Sequence, residues 1–451
     1  MNKNLFQIGA FALPALIMIS FFLSFIMYAN QMESGISIRP DSGNYILFAE
    51  QIISGEVFEK KPVEEIKFGR AIRTPGYPLL IAAFTFGDPE ANIDNVLLAH
   101  LLIALCTLLF VSYQLRNLCP PLLTGLAVMV AQAQMSKPFG SVMTEFVAFN
   151  ILLILLALTV KAIQKPDNGI LFWIGLIGVI GVLVRPAMVV CLPIVPLLVL
   201  YRRRLSIRDS LILASALIPL TMWMGFNKYQ LGAFTITQVS GLNAMGIGSQ
   251  LGHAEVLPGD PPELVAFIED MHTKKQPPKG KEDEHIANLN PDYKFLLLKN
   301  TYWISMETRA AVGTIPFDRD YLWHYGTRSI NANLDNYARY VVYGLTLFFS
   351  FVFPGAAILM LIVPAYGILR KRALTLSYTA IVMFLVHSGS ALLTSAYEAV
   401  WDRYVILTFY PFAVSIALCA FSLILTSQPV SKRLEQSAEK DGLLARVLLT
   451  N

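Results

Sequence analysis

The chain has 451 residues, of which 55% are hydrophobic and only 15% charged. A soluble protein carries about 25% charged residues, so these values and a mean hydropathy of +0.56 point to a membrane protein. The net charge of +4 marks no nucleic-acid partner, and four cysteines without a CxxC pair indicate neither a disulfide framework nor a zinc site.

Apolar runs recur along the chain, many close to the roughly twenty residues a helix needs to cross a bilayer. The first, Leu5 to Tyr28, reads as a retained anchor, being too long for a cleaved signal and lacking a small-residue cleavage site. Further spans are expected at Val96–Leu115, Leu122–Met135, Met143–Val160 and Ile170–Val184. Met188–Leu200 follows a hinge at Arg185–Pro186, then Ser210–Tyr229, Val341–Leu369, Leu376–Ser395 and Tyr404–Leu425. The expected fold is therefore an all-α polytopic membrane protein with about ten transmembrane helices.

Lys and Arg near span ends accumulate on the cytoplasmic side. With the N-terminus inside, the inner turns receive Lys3, Arg116, Lys161, Lys165, Arg202–Arg204 with Arg208, Arg370–Arg372, and Lys432–Arg433. Both long polar segments then fall outside, and both termini lie in the cytoplasm. This threading divides the chain into an N-terminal transmembrane module at 1–231, with its first outer loop at 30–95, and a large outer loop at 232–340. C-terminal helices at 341–427 and a cytoplasmic tail at 428–451 follow.

In the first outer loop Tyr45, Phe48, Ala49 and Ile52 recur at helical spacing, with Asn44, Gln51 and Ser54 opposite. That is a short amphipathic helix suited to the interface plane. A second short apolar piece, Leu79 to Phe86, follows Pro75–Gly76–Tyr77–Pro78. The large loop contains a glycine-rich part (Gly241, Gly246, Gly248, Gly252), a Pro- and charge-rich part from Pro258 to Glu284, and aromatic stretches at Tyr293–Trp303 and Trp323–Tyr337. These stretches predict a mainly helical outer cap.

Asp41, just before the interfacial helix, has two readings that do not exclude each other. It, or Ser42, caps that helix, or its carboxylate takes a proton from an incoming nucleophile. Arg39, Lys67, Arg70 and Arg73 place cations in the same outer loop, against the usual bias. Either the arginine fork serves a lipid phosphate, the reading favoured for Arg73, or the loop is a solvated one balanced by Glu56, Glu59, Glu64 and Glu65, the reading favoured for Lys67. Arg73 is held beside the rigid Thr74–Pro75. Glu145, Arg185 and Arg403 stand at outer ends of spans, where ionisable groups are costly; each is a functional group, a snorkelling side chain or half of a structural ion pair. Glu398 and Asp402 are close enough in sequence to neutralise Arg403. His100 and His387 lie within spans as packed or hydrogen-bonded residues. Asp318–Arg319–Asp320 has DxD spacing, but no metal site is assigned. The sequence has no P-loop and no GxGxxG motif.

The order of these features resembles the GT-C superfamily of integral membrane glycosyltransferases, in particular the branch of protein O-mannosyltransferases and the lipid A aminoarabinose transferase. An outer Asp before an interfacial helix, R-x-PGYP, an outer Glu at the fourth span, a span ending in RP, and a late RY opening a span with an internal proline (Arg403, Tyr404, Pro411) recur together. The resemblance covers 1–231 and the last span, and not the 232–340 loop. It implies a cell-membrane enzyme that moves a sugar from a polyprenyl-phosphate donor to an acceptor (lipid, glycan or protein) at the outer face. Asp41 and Glu145 would be catalytic, and Arg73, Arg185 and Arg403 would hold the donor phosphate, with Arg39, Arg70 and Tyr77 as additional candidates. No cofactor is assigned, and a divalent metal is left open without being indicated. Where protein mannosyltransferases carry an Asp–Glu pair, this sequence has Asp41–Ser42. Two rivals are a flippase or transporter of lipid-linked saccharides, and a glycan polymerase or ligase of unrelated fold centred on Arg319, Arg328 and Arg339.

Overall fold

The computed structural model describes residues 35–39, 41–61, 73–165, 167–202, 207–269 (other than 238, 252, 253, 263 and 267), 319–350, 360–397 and 402–425. The expected first span, Arg70, Asp318 and the tail at 428–451 lie outside the described residues. Within them every regular element is helical, and strand-like pairing is limited to one isolated bridge between Ser37 and Ser141.

In chain order the helices are α1 (Ser42–Ser54), α2 (Gly76–Phe84), α3 (Asn95–Leu115), α4 (Pro121–Ala133), α5 (Ser136–Phe139), α6 (Glu145–Gln164) and α7 (Asn168–Val184). There follow α8 (Ile194–Arg202), α9 (Ile207–Ala216), α10 (Ile218–Leu231), α11 (Val239–Leu251), α12 (Arg319–Ala332) and α13 (Leu334–Ser350). Then come α14 (Ile362–Leu369), α15 (Leu374–Tyr397) and α16 (Asp402–Leu425). Four of these, α3, α6, α15 and α16, are long and apolar enough to cross a membrane.

α6 is the axle of the bundle. It is buried along nearly its whole length and packs against α3, α7, α8, α15 and α16. An all-round apolar surface is what a helix enclosed by other helices requires. Its polar Asn150 is satisfied inside: the amide donates to the Phe146 carbonyl at 2.8 Å and the oxygen accepts from Gln132 Nε2 at 2.9 Å.

Several expected spans take a different form. The Leu122–Met135 stretch is the 13-residue α4, about 20 Å long at 1.5 Å per residue and short of the roughly 30 Å hydrocarbon layer. Ser210–Tyr229 is two helices parted at Leu217, because Pro219 opens α10 and its ring cannot sit in a continuing helix. In place of Met188–Leu200, a 3-10 turn (Pro186–Cys191) leads into α8. α13 begins at Leu334, before the expected Val341.

The chain's connections sort the helix ends into two groups. The starts of α3, α6 and α16 and the ends of α7, α10 and α15 share one end with α1, α2 and the α11–α13 layer. Gln230 on α10 donates to the Val57 and Phe58 carbonyls after α1, and the Tyr337 hydroxyl of α13 donates to the Ala396 carbonyl of α15. α11 and α12 cross so closely that a side chain at Gly326 would fall within 2.3 Å of the Ala244 carbonyl oxygen, so only glycine permits the crossing.

Candidate functional site

The site is built where the segment around α1 and α2 meets α6 and α7. Ser37 and Ser42 are stitched to the strand-like segment that leads into α6. Ser37 N–H donates to the Gly140 carbonyl at 2.8 Å, Val142 N–H donates to the Ser37 carbonyl at 3.2 Å, and Ser42 Oγ donates to the Val142 carbonyl at 2.9 Å. A tight turn closes over Asp41: Ser42 N–H donates to the Arg39 carbonyl, and Arg39 N–H donates back to Ser42 Oγ at 2.8 Å.

Asp41 occupies the N-cap position of α1 but makes no side-chain capping bond. Its carboxylate accepts from Arg73 Nη2 at 2.6 Å. The Arg73 guanidinium also lies 4.6 Å from the Tyr45 ring centre and donates through Nη1 to the Tyr45 hydroxyl at 3.2 Å. Tyr45 is one helical turn after Asp41, so both project from the same face of α1. The pair is partly open to solvent, with Asp41 at 32% and Arg73 at 19% side-chain exposure.

Arg73 leads into Pro75, the N-cap of α2, and Gly76. A Cβ at Gly76 would lie 2.7 Å from the Leu183 carbonyl oxygen and 2.9 Å from Val184 N, so α2 starts directly against the last turn of α7. The next residue along α7 is Arg185. Because Pro186 disfavours helical backbone before it, Arg185 is extended and the helix stops. Its Nη1 reaches Glu145 Oε1 and Thr144 Oγ1, both at 2.9 Å. This second pair is deeply buried, with Arg185 at 9% and Glu145 at 2% side-chain exposure.

Tyr77 sits between the two pairs, fully buried, its ring edge-on to Tyr45 at 5.3 Å between centres. Burial pushes its hydroxyl well above the ordinary tyrosine value; Tyr45 and Glu145 add to the rise, and the Met143 backbone amide opposes it. Its hydroxyl meets His100 Nε2 at 3.2 Å.

Of the residues expected at a site, Asp41, Arg73, Tyr77, Glu145 and Arg185 are thus brought to one end of the bundle. Arg39 shapes the Asp41 turn with its backbone, and its side chain is exposed. Arg403 lies in the first turn of α16. The expectation that Asp41 caps α1 is corrected, since a strong cation takes its carboxylate. Gln51, expected on the polar face, is buried, because α1 packs on protein through Phe48 against Trp223. Sequence reasoning passed over Thr144 and treated Tyr45 only as an apolar anchor; its i+4 spacing from Asp41 was the available signal.

A second charged cluster joins the 255–260 segment to α12. Arg328 holds Asp260 with both Nη atoms, at 2.5 and 2.6 Å, and donates to the Glu255 carbonyl. The Arg328 hydrogen bonds, with the Leu257 amide, bring the Asp260 carboxyl down to about 2. This clasp ties 255–260 to α12. An apolar groove of about 320 Å³ runs between Val190, Pro193 and Leu197 on one side and Val386, Gly389 and Leu393 of α15 on the other. Among the described residues no group of three His, Cys, Asp or Glu side chains could hold a metal ion.

No protein-family model, curated protein or solved structure matches the chain. Among the described residues the fold is all-helical, and four of its helices are long and apolar enough to cross a membrane, which defines the class as a helical membrane protein.

Proposed function

We propose that this protein is a GT-C-type glycosyltransferase of the cell membrane, moving a sugar from a polyprenyl-phosphate donor to an acceptor at the outer face. The observation that carries the proposal is the convergence of two carboxylate–guanidinium pairs on one end of an apolar bundle. One, Asp41–Arg73, is partly open; the other, Glu145–Arg185, is buried at the same end. Ionisable groups at membrane depth are costly and rarely kept without use.

The chemistry follows from that pairing. A donor phosphate is a better partner for the Arg73 fork than one carboxylate, since it offers several anionic oxygens. On binding it displaces Asp41 from Arg73, leaving the carboxylate facing the acceptor. The acceptor hydroxyl oxygen then attacks the anomeric carbon while its proton passes to Asp41. The bond from anomeric carbon to phosphate oxygen breaks, and the electron pair leaves with the phosphate, stabilised by Arg73 and, in this proposal, Arg185 or Arg403. Glu145 holds Arg185 in place, the apolar groove takes the prenyl chain, and the cap selects the acceptor.

The test is transfer from radiolabelled polyprenyl-phosphate sugars in vesicles with membrane extract as acceptor. Asp41→Asn keeps the shape of the residue but cannot take the proton, and transfer is expected to fall by about 10²- to 10⁴-fold. Near-normal transfer by Asp41→Asn would remove the base. Movement of intact donor across the vesicle wall without transfer would support a flippase instead.

A further inference from the structure

Behind the Asp41–Arg73 pair runs a line of buried polar contacts that ends in a helix. His100 is fully buried on α3, with Nδ1 at 2.8 Å from the Phe139 carbonyl oxygen. A carbonyl can only accept, so the ring proton is on Nδ1, and in the neutral imidazole Nε2 is left as an acceptor. The Tyr77 hydroxyl therefore donates to Nε2. Tyr77 in turn braces the Tyr45 ring edge-on, and Tyr45 carries the Arg73 guanidinium on its face and hydroxyl.

Each link removes a freedom from the next. The Phe139 carbonyl fixes the His100 tautomer, and His100 fixes the Tyr77 ring. That ring closes one side of the Tyr45 pocket, and Tyr45 sets the plane of the guanidinium. His100 itself stacks on Tyr77 and packs at a tilt against Phe139 and Phe146, the last on the first turn of α6 one residue after Glu145. α3 and α6 are thereby made the rigid backing for a side chain in a loop. Arg73 needs such backing, because it has long rotamers, precedes a proline turn, and reaches Asp41 through one end of its fork.

We propose that His100 is a positioning residue that, through Tyr77 and Tyr45, sets the orientation of Arg73 for a phosphate-bearing ligand. The geometric part stands on the contacts alone; its consequence for the ligand rests on Arg73 being a donor-phosphate residue.

The two parts are tested by separate readouts on the full-length protein in detergent. The first is the rate at which phenylglyoxal modifies Arg73, followed by peptide mass spectrometry, with Arg328 in the cap as internal reference. His100→Phe keeps the ring and removes both hydrogen bonds; it is expected to speed Arg73 modification about two- to tenfold, the equivalent of one net hydrogen bond, with Arg328 unchanged. His100→Asn, which can span a carbonyl and a hydroxyl, is expected to restore protection in large part. If His100→Phe does not fold, Tyr77→Phe removes the same link while keeping the packing and is expected to act alike. Unchanged Arg73 reactivity in the folded variants, or an equal rise at Arg328, overturns the positioning role.

The second readout is the affinity for farnesyl phosphate. His100→Phe is expected to weaken binding in the wild-type background and to add nothing in an Arg73→Ala background, because groups acting through one another are not additive. Additive losses overturn the route through Arg73. Full affinity in Arg73→Ala alone refutes the phosphate role of Arg73 while leaving the labelling result to judge His100.

Discussion

Gly76→Ala is a one-carbon change whose effect can be worked from the structure. The new Cβ would lie 2.7 Å from the Leu183 carbonyl oxygen, 2.8 Å from its carbon and 2.9 Å from Val184 N. All three are backbone atoms of the last turn of α7, so no side chain can rotate away. To reach the 3.4 Å of ordinary contact, α2 must retreat by about 0.7 Å. Overpacking of this kind costs about 1–3 kcal/mol, and alanine's better helix propensity returns at most about 1 kcal/mol. With the full return the expected net loss is about 0–2 kcal/mol, measured by reversible denaturation in mixed micelles. Function should suffer more than stability, because Arg73 and Tyr77 flank Gly76 and move with it. A displacement approaching 1 Å costs about 10²-fold in a positioned reaction, read as donor turnover. Gly43→Ala is the control: a Cβ added there on α1 would meet nothing within 4 Å, so stability should hold or rise by up to about 1 kcal/mol. A Gly76→Ala protein as stable and as active as the wild type would show that α2 does not abut the last turn of α7.

Glu145→Ala and Arg185→Ala should each cost about 3–5 kcal/mol, since each leaves a buried charge without its ion-pair partner. The double replacement Glu145→Gln with Arg185→Met should recover much of that loss while remaining inactive; a single variant that loses under about 1 kcal/mol would contradict the burial of the pair. The Asp260–Arg328 clasp carries a pH prediction. Its aspartate lies below its ordinary value of 3.8, so the clasp's contribution is complete above 3.8 and is lost as pH falls through about 2. Hydrogen exchange in 255–260, corrected for intrinsic rate, should therefore stay protected from neutral pH down to about 4 and open below it. Asp260→Asn should reproduce the acid state at neutral pH; retained protection would mean that something else holds the segment.

Much of the fold was legible because burial follows local periodicity. Continuous apolar runs marked α3, α6, α15 and α16, and the Tyr45–Phe48–Ala49 spacing marked the buried face of α1. Pro186 marked the end of α7, because a proline restricts the residue before it whatever the tertiary surroundings. Breaks were less legible. The parting of α9 from α10 at Leu217 and the shortness of α4 lie inside apolar runs that hydropathy reads as unbroken. Gln51 was misplaced for a related reason: a helix laid on lipid buries one face, while a helix wedged between α2 and α10 buries more.

The sequence by itself determined that this is a helical membrane chain with an unusual load of charge in its first polar loop. It also singled out Asp41, Arg73, Glu145 and Arg185 as charges in costly positions. Only the tertiary structure decided their partners. Asp41 is joined to Arg73 across a long loop, Arg185 reaches Glu145 from the far end of another helix, and His100 on a third meets the Tyr77 hydroxyl. Such pairings depend on which chain ends are brought together when α2 docks on α7. That docking is set by backbone contact at one glycine, which leaves no trace in composition or period.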